Sequence, residues 1–117
     1  MNANNRQEGG KHYNSKEYQH WDFVCDTGLH YLLGCATKYP SRWREKNGIE
    51  DLRKSIHYID KAEELNIYCF DPVSITSFIS KFCNQLPKEE HGIIYAICNG
   101  DYRSARILLN RLINDNP

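Results

Sequence analysis

From residue 18 to the C-terminus, apolar side chains recur every three or four positions, and each run is cut short by Gly, Pro or an Asn-Gly pair. That spacing gathers apolar groups on one face of a helix, whereas a half-buried strand would alternate at every second residue. No segment carries a sustained alternation bounded by hairpin turns. The pattern predicts an all-α chain, a compact bundle of about five to six short helices.

The punctuation sets the expected boundaries. Trp21, Val24 and Cys25 share a helical face over 18–27, with a stop at Thr27-Gly28. Leu29, Leu32, Leu33, Ala36 and Trp43 form a stripe over 29–46. Pro40 predicts a kink or break near Tyr39, because an internal proline loses one backbone bond and clashes with the preceding turn. Asn47 followed by Glu50 resembles a capping box for a helix over 49–65, with Leu52, Ile56 and Ile59 inward. Residues 66–70, "NIYCF", read as a short extended connector.

Asp71-Pro72 reads as an N-cap and first helical residue, and Ile75, Phe78, Ile79 and Phe82 follow at i, i+3, i+4, i+7. Pro87, Glu89 and Glu90 open a helix through Ile93, Ile94 and Ile97, closed at Asn99-Gly100. Asp101 caps a last helix carrying Ala105, Leu108, Leu109 and Leu112. Three parts are expected: a polar arm over 1–16, a helical core over 17–66, and a C-terminal helical extension over 67–117 packed on that core.

With 117 residues one domain is the simplest arrangement. Lys plus Arg and Asp plus Glu each number 15, and this neutrality argues against a general nucleic-acid binder while leaving room for a local anion grip. No run approaches the about 18 apolar residues of a membrane span. The stretch "MNANNRQEGGKHY" lacks the apolar centre of a signal peptide. The five cysteines are odd in number, far apart and without a C-x-x-C, so they read as reduced thiols, mostly core fillers, in a cytoplasmic protein.

Several chemistries find no frame. "EGGKHY" lacks the spacing of a phosphate-binding P-loop, and no G-x-G-x-x-G is present. No His or Cys pair has metal-ligand spacing, so no metal site is expected, and no nucleophile–base pair stands out. Arg103, Arg106 and Arg111 after an Asn-Gly turn suggest a DNA-reading helix, but the neutral total and the nearby Glu89 and Glu90 argue against it.

The strongest local signal is "KYPSRWREKNGIEDLRKSIHY" at 38–58. Lys38 and Arg42 are four apart and neighbours on a helix, Lys46 continues the row, and Arg44 is offset toward solvent. Asp51, Lys54 and Tyr58 form a row on the next helix, Asp51 in the first turn where a carboxylate suits the macrodipole. Two charged faces pairing with each other would explain this. So would a phosphate clamp, in which guanidinium and ammonium groups converge from two helices. Tyr39 and Trp43 are aromatic neighbours able to stack on a base, with Trp43 on the apolar stripe and so assigned to the core.

The order of "HY" at 12–13, "WDFV" at 21–24, "GLHYLLGCATKYPSRW" at 28–43 and "KNGIEDLRKSIHYID" at 46–60 resembles a family of small bacteriophage proteins. That family is catalogued as a domain of unknown function and typified by the nucleoside monophosphate kinase of a T-odd coliphage. The resemblance covers roughly residues 11–65 and rests on His12, Tyr13, Gly34, Lys38, Tyr39, Arg42, Lys46, Gly48, Asp51, Leu52, Lys54 and Tyr58. It implies a P-loop-free nucleotide-binding core over 17–66, site residues His12, Tyr13, Trp21, Lys38, Tyr39, Arg42, Lys46, Asp51 and Lys54, and a homo-oligomer in an infected bacterial cytoplasm. Pro40 departs from the family pattern, and residues 67–117 lie beyond it.

Two functions follow as expectations. One is a (deoxy)nucleoside monophosphate kinase using ATP with Mg²⁺, held by a carboxylate such as Asp51 or Asp22. The other is a non-catalytic sponge for a host-defence nucleotide, cyclic or ADP-ribose-derived. The catalytic residues are unknown, and the partner in both is a small nucleotide, with no membrane.

Overall fold

The computed structural model describes residues 17–117. Six α-helices run in order: α1 (His20–Thr27), α2 (Tyr31–Arg42), α3 (Ile49–Glu64), α4 (Thr76–Cys83), α5 (Lys88–Cys98) and α6 (Tyr102–Asp115). No strand occurs among the described residues, so the chain is all-α. No described helix is long and apolar enough to cross a membrane. His12 and Tyr13, and the arm over 1–16, lie outside the described residues.

The helices assemble as two hairpins. Cross-contacts between α2 and α3 descend in register, with Arg42 facing Asp51, Ala36 facing Ser55 and Leu32 sharing a groove with Glu64. The pair is therefore antiparallel, and its tight turn depends on Gly48, whose φ of +61° and ψ of −136° suit only glycine. The second hairpin joins α5 to α6 through Asn99-Gly100, with the Asp101 carboxylate accepting from Ser104 N at 3.1 Å as expected. α5 packs on α2 and α6 on α3. Between them lie Leu33, Leu52, Ile59, Ile93, Ile97 and Leu109, all shielded from solvent.

α1 and α4 close one end. Phe23 stacks on Phe82 with centroids 4.8 Å apart, and Tyr18 N and O exchange hydrogen bonds with the Gln85 amide at 2.8 and 2.7 Å. The inward residue of α1 is thus Phe23, and Trp21 and Cys25, expected on its apolar face, are exposed. Cys83 and Cys98 fill the core, Cys35 and Cys69 are partly covered, and all five thiols are free.

Pro40 does not break its helix. α2 continues through it to Arg42, and Pro40 is buried. A proline at this position deprives the Ala36 carbonyl of its helical donor. The Ser55 hydroxyl on α3 supplies the replacement, donating to Ala36 O at 2.7 Å. Two further expectations need correction. The N-cap of α3 is Gly48, not Asn47, and no side chain caps it. Asn47 instead donates from its backbone and side-chain nitrogens to Asp51, at 3.3 and 3.4 Å. Asp71-Pro72 does not start α4, because Asp71 accepts from Ser74 N and Ser74 Oγ returns a bond to Asp71 O, holding a local turn. The helix begins only at Thr76.

Candidate functional site: a cation cluster beside the α2–α3 groove

The antiparallel register of α2 and α3 collects three cations around one aromatic ring. The Arg42 guanidinium carbon lies 4.9 Å from the Tyr39 ring centre, Lys54 Nζ 5.4 Å and Lys38 Nζ 5.9 Å. Each distance falls within cation–π range, so the electron-rich face offsets part of the repulsion among like charges. Tyr39 is itself fixed, stacked on Tyr58 at 5.8 Å and 18°. Tyr31 meets Tyr58 edge-on at 6.4 Å, extending an aromatic ladder along the hairpin. The Tyr31 hydroxyl is the main cause that raises the Tyr58 phenol to about 12, which keeps it a proton donor at neutral pH.

Among the described residues, Asp51 is the carboxylate set against these cations. Asp51 is fully buried, with Oδ2 3.7 Å from Arg42 Nε. Two Asn47 nitrogens and the N-terminal turn of α3 also stabilise its charge. Around Tyr39 the described cations outnumber the described carboxylates, a balance suited to holding an anion.

His20 on α1 lies behind the cations and has no place in the sequence reading. Thr37 Oγ points its hydrogen at Leu33 O (2.9 Å) and Gly34 O (3.1 Å). With that hydrogen committed, Thr37 can only accept from His20 Nε2 at 2.9 Å, which puts the imidazole proton on Nε2. Desolvation, then Lys38 and Arg42, lower the His20 pKa to about 3, so the ring is neutral. A packed neutral ring beside the cations adds no charge to the cluster.

The cluster opens onto a groove of about 660 Å³ lined by Leu32, Tyr39, Lys54, His57, Tyr58, Asp60, Lys61 and Glu64. That volume is in the range of small-molecule sites. Among the residues singled out from the sequence, Lys38, Tyr39, Arg42, Asp51 and Lys54 come together here. Trp21 is half-exposed on α1, and Lys46 is exposed on the α2–α3 connection. Trp43 is in the core, as expected. Arg44, expected in solvent, forks onto Glu90 of α5 at 3.0 and 3.3 Å. No described group of three His, Cys, Asp or Glu side chains is arranged to hold a metal ion.

Residues 7–60 match the model of a family described as a protein of unknown function, DUF3310. The matched span, slightly under half of the chain, holds the whole cation cluster and stops before α4. No curated protein and no solved structure matches the chain.

Proposed function

We propose that this chain binds a small nucleotide, gripping its phosphates with Lys38, Arg42 and Lys54 and laying the remainder along the α2–α3 groove. The observation that carries this reading is the convergence of those three cations, from two helices, on the Tyr39 ring at the edge of an aromatic-lined groove. Charge-assisted bonds to phosphate oxygens are among the strongest a surface site can form. The resemblance to the bacteriophage family supports a nucleotide as the anion and an infected bacterial cytoplasm as the setting. Trp21 and Tyr31, both at least half-exposed, offer surface for the self-association that the same resemblance implies.

Catalysis is the further step that the resemblance suggests, as a P-loop-free (deoxy)nucleoside monophosphate kinase using ATP with Mg²⁺. Asp51 and Asp22, the carboxylates expected to hold that ion, do not fit the role. Asp51 is buried against Arg42 and Asn47, and Asp22 accepts from Gln19 N at 3.0 Å as part of the α1 capping box. This favours the second reading, a sponge that sequesters a nucleotide signal of host defence, cyclic or ADP-ribose-derived.

One pair of measurements decides. The protein is incubated with ATP, Mg²⁺ and each nucleoside monophosphate, and is titrated in parallel with cyclic dinucleotides and ADP-ribose derivatives by calorimetry. Tight stoichiometric binding without turnover is the expected result. Turnover with weak binding across the panel would establish the kinase instead, and no binding to any nucleotide would remove the clamp.

A further inference from the structure

The groove is electrically polar along its length. Lys54 marks one end, and Asp60 and Glu64, with Lys61 between them, line the other. At the helical rise of α3, these carboxylates stand about 9 and 15 Å farther along the axis than Lys54. Each acid is ion-paired through one oxygen. Asp60 Oδ1 takes Arg106 Nε of α6 at 2.7 Å, and Glu64 Oε2 takes Lys61 Nζ at 3.2 Å, so each retains a second oxygen outside its ion pair. Arg106 also binds Glu63 at 2.5 Å, which anchors the acidic end of α3 to the C-terminal extension. Between the two ends lie the Tyr39 and Tyr58 rings and Leu32, an apolar and aromatic floor.

A ligand that matches this profile has phosphate at one end, a flat ring in the middle and hydrogen-bond donors at the far edge. We infer that the groove selects nucleotides whose base bears an exocyclic amino group, with Asp60 and Glu64 as the specificity-determining residues; this rests on the nucleotide-binding reading above. An ionised carboxylate is acceptor-only, so it pairs with an amino group and faces a ring carbonyl with acceptor against acceptor. A site built to accept from a donor rejects the isostere that lacks it, because its polar groups are then covered without a partner.

CMP and UMP isolate the question, since they differ at the ring position where one carries an amino group and the other a carbonyl. AMP and IMP do the same for purines. Calorimetric titration of the full chain should give CMP at least about tenfold tighter binding than UMP, and AMP likewise over IMP, a ratio worth about 1.4 kcal/mol. The Asp60→Asn/Glu64→Gln double variant should bring both ratios close to one while leaving the affinity for inorganic pyrophosphate unchanged. Both positions are exposed and the changes are isosteric, and a circular dichroism melt confirms the fold.

Equal binding of CMP and UMP, with pyrophosphate still bound, would overturn the selectivity and leave the clamp standing. Ratios that persist in the double variant would remove Asp60 and Glu64 as its source. Failure of every nucleotide and of pyrophosphate to bind would take down the clamp and this inference together.

Discussion

At the scale of single residues, the cation cluster is a balance between repulsion and what offsets it. Lys38, Arg42 and Lys54 share the Tyr39 ring, and Asp51 is paired with Arg42 beside them. A bound phosphate would bring negative charge to all three. Lys38→Ala, Arg42→Ala and Lys54→Ala should therefore each weaken nucleotide binding by about 1.5–3 kcal/mol, read by calorimetry. Lys38→Ala and Lys54→Ala should raise or barely alter thermal stability, whereas Arg42→Ala should lower it by leaving the buried Asp51 without its cation. A variant set that keeps full affinity would remove the clamp.

His20 gives this region a pH dependence whose sign is fixed. Its folded pKa is lowered to about 3 from an ordinary 6.5, by desolvation first and then by Lys38 and Arg42. Below pH 6.5 the unfolded chain takes up a proton that the folded chain refuses, so stability is lost as pH falls from 6.5 toward 3. Within that window this one group contributes up to about tenfold in the unfolding constant per pH unit. His20→Gln keeps a donor for Thr37 but cannot titrate. Urea unfolding from pH 4 to 7 should show a shallower acid slope for the variant, and parallel slopes would show that His20 is charged in the fold.

At the scale of elements, α2 and α3 form one unit whose weakest point is also its tie. The Ala36 carbonyl, without its helical donor because residue 40 is proline, accepts from the buried Ser55 hydroxyl. Ser55→Ala should cost about 1–3 kcal/mol by leaving that carbonyl dry and unpaired. In a Pro40→Ala background the restored N–H can serve Ala36, and the cost of Ser55→Ala should shrink by about 1 kcal/mol. Four denaturation curves complete the cycle; additive costs would mean that Ser55 does not stand in for the proline's missing donor.

The sequence makes the helices visible and hides what joins them. Apolar spacing exposes Ile75, Phe78, Ile79 and Phe82 because the helical period is a local property. It cannot show that Asp71 and Ser74 bond each other and delay α4, since one Asp-Pro pair serves a cap or a turn equally well. Lys38 and Arg42 are legible as neighbours by their four-residue spacing. Lys54 joins them only through the register of the hairpin, and His20 only through the packing of α1 on α2. The Ser55 bond to Ala36 links residues 19 apart, beyond any local pattern.

At the scale of the whole molecule, the question is what holds the second hairpin to the first. Besides apolar burial and the Arg106 pairs to Asp60 and Glu63 of α3, a tie that spans them is Arg44, whose guanidinium lies 4.6 Å from the Trp43 ring and forks onto Glu90 in the first turn of α5. Glu90 is 2% exposed and the Arg44 side chain 43% exposed, so a buried anion is answered by a half-solvated cation. Glu89 lies 3.8 Å away on the outside and adds little. Removing the cation leaves the anion in place, with only the N-terminal dipole of α5 to stabilise it. Loss of one partner of a fully buried pair costs about 3–5 kcal/mol. Here water can reach through the space Arg44 vacates, so Arg44→Ala should cost about 1–3 kcal/mol. Arg44→Met with Glu90→Leu removes both charges and keeps the packing volume, and this double variant should recover most of the loss. Urea unfolding of the two proteins distinguishes the causes. If the double variant is as weak as Arg44→Ala, the charge pair is not what the interface loses, and the fork itself is needed to seat α5 against α2.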